Sequence, residues 1–317
     1  MKRHLLCLTV DTDPDGLSGK ITNRETLQWE GLRQLQRLPD VCDSEPIGSI
    51  PITWFVRADG QLESMLGNAS YLLEEFSTFW TKVRKLGHEV AWHPHLYRQT
   101  RRQEAAIIIT NPVEAEDELE RLWNQLKTDF PAVAFRHGEG WHTLETYAVV
   151  ERLGFRCDST AIPGRRGAKG HPMNWEGAPN QPYFPSQADL CRTGSERCLL
   201  EVPMNTWLVH APYDSGPRVR YMNPAIHPNL FAQARRGWED ACNKISADLC
   251  IWVMIFHPDE VLGRQGADAL YSRSTSDLCA NLTSITQSLG RLGHDFQWMS
   301  LSAAAECWRT HQQALTA

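Results

Sequence analysis

The chain has 317 residues, enough for a large core, with 42% hydrophobic and 22% charged residues, the mixture of an ordinary globular protein. A net charge of −6 and a pI of about 6.1 give no support to nucleic acid or an anionic membrane as the main partner. Nine scattered cysteines without CxxC pairs argue against a disulfide framework, and no apolar stretch is long enough to span a bilayer or reads as a signal peptide, so the expectation is a cytoplasmic protein.

The first element is "HLLCLTV" (4–10), a short, apolar, partly β-branched run that predicts a buried strand. It runs into "DTDPDG", with Asp11, Asp13 and Asp15 at alternate positions. That spacing opens an EF-hand calcium loop. Its closing position is Thr22, which cannot give two carboxylate oxygens, and the preceding run is not helical. Asp15 reads as a turn residue. A helix is predicted over 25–38 and a second strand over 50–56. In 71–87, Leu72, Phe76, Phe79, Val83 and Leu86 form one stripe of an amphipathic helix that stops at Gly87. "HEVAWH" (88–93) is strand-like, with His88 structural at its start. A helix over 111–130 begins with Asn111 as N-cap and Pro112 at the first helical position.

Strands follow at 132–136, 155–159, 198–204 and 249–257, and near 295–299. Helices over 143–154, 229–246, 276–289 and 300–312 fill the gaps. The alternation of helices with about eight strands predicts an α/β fold, a distorted parallel β/α barrel of seven to eight strands. Residues 160–197, rich in Gly, Pro and Asn, interrupt it. They read as a long, lid-like insertion over the C-terminal mouth of one domain spanning 1–317.

Polar residues close the apolar strands: Asp11 and Asp13, then His93 and His95, Arg136, Asp158 and His257. In a parallel barrel all strand C-termini open at one mouth, so these distant positions converge. Two histidines and a carboxylate make a three-ligand site for Zn²⁺ or a similar divalent ion, with a position left for water. His93 and His95, two apart at a strand end, face the same side. One aspartate of the first strand holds the metal and its neighbour takes the proton from the water. A histidine protonates the leaving atom, and an arginine beside the base keeps it ionised. The chemistry is metal-assisted hydrolysis of an amide or ester.

These residues resemble the polysaccharide deacetylase (NodB-like, carbohydrate esterase) superfamily through five ordered motifs: "LTVDTD", "GHEVAWHPH", "FRHGEGW", "GFRCDST" and "IFHPDE". The resemblance implies a distorted β/α barrel with Asp11 as catalytic base, Asp13 and His93 as metal ligands, and Arg136 as partner of the base. It implies that Asp158 orients the acid and that His257 is the general acid. The family's commonest second motif has a further ligand where this chain has Tyr97, and His95 is the substitute in a His-x-His variant. The commonest first motif has adjacent aspartates, whereas Thr12 separates them here. The implied metal is Zn, with Co, Mn, Ni or Fe as alternatives, and the implied substrate is an N- or O-acetylated sugar or glycoconjugate. The alternatives are an allantoinase-like or cyclic-imide hydrolase of a small amide, or a non-catalytic carbohydrate-binding protein.

Substrate contacts are expected from His137, Trp141 and Trp175, the tryptophans by stacking on sugar rings if they do not simply pack the core or lid. Arg218, Arg220, His210 and His227 lie in a polar loop, either a solvated face or a set of groups for an anionic substrate.

Overall fold

A computed structural model of the protein describes residues 2–15, 27–42, 49–99, 106–131, 133–261 and 270–316. Thr22, the Gly16 end of the first motif and the start of the helix predicted over 25–38 lie outside these residues.

Twelve strands are described: β1 (Arg3–Asp11), β2 (Ile52–Arg57), β3 (Glu89–His93), β4 (Tyr97–Arg98), β5 (Ile107–Ile108), β6 (Ala134–Phe135), β7 (Cys157–Asp158), β8 (Leu200–Glu201), β9 (Thr206–Val209), β10 (Arg218–Tyr221), β11 (Leu249–Phe256) and β12 (Asp295–Trp298). Eight of them form one parallel sheet in the order β11-β1-β2-β3-β6-β7-β8, with β12 also on β1. The upper half of β1 pairs with β2 and the lower half with β12. The sheet therefore splits on that side, which distorts the barrel.

β1 and β11 are apolar and buried almost throughout, as strands covered on both faces must be. Alternation along β1 sends Leu6, Leu8 and Val10 outward under the helices. Leu5 and Cys7 point inward, where they meet Phe55, Val253 and the small Ala304 and Ala305 of the C-terminal helix, Leu301–Thr316. That helix packs against the lower interior. Thr9 and Asp11 continue the inward series toward the opposite end.

Between β8 and β11 no strand pairing is found among the described residues. Side chains supply the missing partners of β11. Asn205 Oδ1 accepts from Val253 N at 2.5 Å, and the Gln181 amide bonds both Ile251 N and Ile251 O at 3.1 and 3.0 Å.

The helices fall near their predicted places, with differences of cause. Asn111 caps Pro112–Leu126, its side chain accepting from Glu114 N. The 71–87 helix breaks at Phe76 into Tyr71–Glu75 and Ser77–Lys85, and Leu86, at the C-cap, is 46% exposed, not part of the buried stripe. A helix at Gly60–Leu66 and the hairpins β4–β5 and β9–β10 were not foreseen, being too short for a periodic signal. Asp15 does more than turn the chain: its carboxylate accepts from Glu30 N and Gly31 N. Residues 160–197 hold no helix or strand. Part of the segment, including Arg165, Arg166 and His171, lines the cleft at the mouth, while Tyr183 bridges to Glu201 at the sheet edge.

Candidate active site

Asp11 ends β1 and Asp13 follows it, with Thr12 between them. Thr12 Oγ1 accepts from Arg57 N, so this side chain turns toward β2 while both aspartates reach the mouth. Alternation explains why one residue separates them. His93 ends β3 and His95 lies beyond Pro94. Arg136 follows β6, and His257 follows β11. All six line one cleft of about 570 Å³.

Asp13, His93 and His95 are 5%, 2% and 3% exposed, and their ligand atoms cluster. His95 Nε2 lies 2.9 Å from Asp13 Oδ1 and 3.3 Å from His93 Nε2, and His93 Nε2 lies 3.8 Å from Asp13 Oδ2. Ligands about 2.1 Å from a tetrahedral ion are themselves about 3.4 Å apart, so the triangle fits one. His93 donates Nδ1–H to the Arg136 carbonyl at 2.8 Å, which leaves Nε2 with its lone pair toward the triangle. Burial alone would raise the Asp13 carboxyl. The charge and hydrogen bonding of His95 and His93 outweigh it and hold the group well below the usual carboxylate range. Tyr97 is turned elsewhere, its hydroxyl donating to Glu139. Burial, with Glu139 beside it, raises that phenol's pKa, so it is a poorer ligand still.

Arg136 is fully buried and held on all sides. It donates to Asp11 Oδ1 at 2.6 Å, to Thr9 Oγ1, and to the carbonyl and hydroxyl of Ser159, and it lies over the Phe55 ring. The other Asp11 oxygen is 3.7 Å from His93 Nε2. His257 Nε2 lies 3.6 Å from Asp13 Oδ2. Burial lowers the His257 pKa, but the charge of Glu260, then of Asp11 and Asp13, raises it to about 10.

Asp158 does not reach His257. It is fully buried, lies 2.7 Å from His142 Nε2, accepts from Thr160 and does not line the cleft. The group on His257 is Glu260, 3.1 Å from Nδ1 and also accepting from His257 N at 2.9 Å. Asn223 fixes the same carboxylate at 2.7 Å.

Trp141 and Trp175 are each 1% exposed and do not line the cleft, so neither is available to stack on a sugar. Trp175 ties the insertion down by donating Nε1–H to the Gly140 carbonyl at 2.7 Å. His137 does line the cleft. Burial first, and His142 second, hold its pKa well below the ordinary value, so it is neutral. Arg218 and Arg220 pair with Asp214 at 3.1 and 2.8 Å, away from the cleft, as are His210 and His227. His88 is structural, with Nδ1 accepting from Ile52 N.

Sequence reasoning passed over Arg57 and Asp59. Arg57 is fully buried, 2.7 Å from Asp59 and 3.5 Å from Asp13, while Asp59 also accepts from His95 N at 3.2 Å. One buried ion pair thus braces a residue from just beyond β1 and another from beyond β3. Arg57 stands at a strand end like the others, and that position was its signal. Glu260, three residues after His257, had a similar one.

No family model matches the chain, and no curated protein matches it. Among solved structures, one described as "putative polysaccharide deacetylase from Mycobacterium smegmatis" superposes with a TM-score of 0.53 at 16% identity, covering 98% of this chain and 92% of that one. The chain has the polysaccharide deacetylase fold. A family 4 carbohydrate esterase from Streptomyces lividans (TM-score 0.36, 13% identity, 93% and 92% covered) is more distant. So is one described as a "putative polysaccharide deacetylase involved in o-antigen biosynthesis" from Bordetella bronchiseptica (0.41, 14%, 88% and 89%). On the deacetylase fold of this chain, the metal-like triangle, the Asp11–Arg136 pair and His257 share one cleft.

Proposed function

We propose that the chain is a metal-dependent hydrolase that removes an N- or O-acetyl group from a sugar or glycoconjugate. The observation that carries this reading is the buried triangle of Asp13, His93 and His95 beside Asp11–Arg136 and His257–Glu260. Asp13, His93 and His95 would hold a divalent ion, Zn²⁺ by the donor chemistry, which would supply Lewis-acid stabilisation of the charge that develops on the acetyl oxygen. Asp11, with one oxygen committed to Arg136, takes a proton from the attacking water on the other. The water oxygen bonds to the acetyl carbon. The carbon–nitrogen or carbon–oxygen bond then breaks, and His257 gives its Nε2 proton to the leaving amine or alcohol. Glu260 at Nδ1 keeps that imidazole charged and aimed. The products are acetate and the deacetylated sugar.

The reading is tested by acetate release from a panel of acetylated sugars with Zn²⁺, Co²⁺ or Mn²⁺ added. Chelation should abolish the activity and metal should restore it. Asp11→Asn should keep its ion and lose about 10²–10⁴-fold in rate. Full turnover in metal-free protein, or hydrolysis confined to small cyclic amides, would replace this reading with another.

A further inference from the structure

Part of the cleft wall comes from the insertion, and it is basic. Arg165 and Arg166 both line the cleft. Arg166 is spoken for by solvent: it is 67% exposed and 3.5 Å from Glu176. Arg165 differs. It is half-buried, and among the described residues it makes no ion pair and no side-chain hydrogen bond. Its guanidinium lies over the Tyr221 ring, 5.9 Å from the centroid, and the Tyr221 ring is 6.3 Å from that of His257. A guanidinium stacked by its face keeps the N–H donors on its edge unused.

The backbone around Arg165 is fixed. Its N–H donates to Ile162 O at 3.0 Å, and its carbonyl accepts from Trp175 N at 2.8 Å. Trp175 is in turn locked by its indole bond to Gly140. The cation is therefore presented by a braced hairpin. Four acids of the cleft have other partners: Asp11 has Arg136, Asp13 has the histidines, Glu139 has Tyr97, and Glu260 has His257.

We infer that Arg165 binds an oxyanion on the substrate, a carboxylate or a phosphate, one ring away from the acetyl group under attack. Resting on the deacetylase reading, this narrows its substrate class to acidic acetylated sugars. A planar fork of donors suits either anion, and its hydrogen bonds to an anion are stronger than those to a neutral ring's hydroxyls.

The test is calorimetric binding of three probes to the zinc-loaded protein: N-acetylglucosamine, N-acetylglucosamine 6-phosphate and N-acetylmuramic acid. At least one charged probe should bind about 10–100-fold more tightly than the neutral one, the range of a charge-assisted hydrogen bond. Arg165→Gln should erase that preference and leave the neutral affinity and zinc content unchanged. Arg166→Gln should keep it, and Arg165→Lys should keep part of it. Which charged probe wins tells phosphate from carboxylate. Equal binding of charged and neutral probes, no binding of either charged probe, or a preference that survives in Arg165→Gln overturns the inference. Acetate release is followed separately with the same three probes. Charge-dependent binding without acetate release removes the deacetylase reading and leaves the anion site. Acetate release without a charge preference does the reverse.

Discussion

Gly138 has no room for a side chain: a Cβ there would lie 2.2 Å from the His95 ring. The backbone of Gly138 also donates to Pro94 O at 2.8 Å, so the two loops close on each other around His95. Gly138→Ala should push the imidazole off the triangle and lower metal affinity about 10-fold or more, as loss of a supporting contact does. His95→Ala should cost as much affinity as His93→Ala, whereas Tyr97→Phe should leave it nearly unchanged, since the phenol faces Glu139. Metal content of the four variants under one chelator challenge checks all of this. If Tyr97→Phe sheds its ion while His95→Ala retains it, the assignment is wrong. A second histidine acts far from the mouth. His4 is buried near the start of β1, accepting from the Trp252 indole at 2.7 Å and stacked on His294. Burial, then His294 and Lys2, lower its pKa to about 4. Between pH 6.5 and 4 the unfolded chain binds a proton that the folded chain refuses, so stability falls as pH falls through that window. After solvent screening the loss is on the order of 1–2 kcal/mol. Denaturant titrations at several pH values should show it, and His4→Phe should lose less over the same window. Equal slopes would show that His4 is not the group responsible.

At the scale of elements, the end of β11 and the short helix Pro258–Val261 act as one device. The strand delivers His257 to the cleft, and the following turn brings Glu260 back to its Nδ1 and its backbone N–H. Glu260→Gln keeps the shape and removes the charge. The His257 pKa should then fall, and the alkaline limb of the rate profile should move to lower pH, with a loss of about 10²-fold at the optimum. Metal content should stay unchanged. A profile that does not shift would mean that Glu260 only shapes the turn. Asp158→Asn, by contrast, should disturb the buried His142 contact without moving that limb.

Across the whole molecule, the barrel is held shut by side chains where strands are missing. Asn205 is fully buried, with Oδ1 on Val253 N and Nδ2 on Asn180 O at 2.6 Å. Asn205→Leu leaves the Val253 N–H unpaired at the strand edge and should destabilise the fold by about 1–3 kcal/mol, read from the denaturant midpoint. A change under about 0.5 kcal/mol, the size of an ordinary surface substitution, would show that the gap does not need bridging. No described helix is long and apolar enough to cross a membrane.

Strand and helix periodicity is local, so the sequence by itself determined the eight-stranded parallel architecture and which positions end its strands. That was enough to gather Asp11, Asp13, His93, His95, Arg136 and His257 at one mouth, because parallel strands all open the same way. It determined Asn111 as a cap for the same local reason. Only the tertiary structure decided how the loops beyond the strands close, since irregular segments have no period to read. So Asp158 goes to His142 and Glu260 to His257, although the family resemblance implied that Asp158 orients the acid. Trp141 and Trp175 were open in sequence to sugar stacking or to packing, and burying a large apolar ring is favourable enough to draw both inside. Arg57 and Arg165 share the same reason: a cation's role depends on the groups that meet it, and those come from elsewhere in the chain.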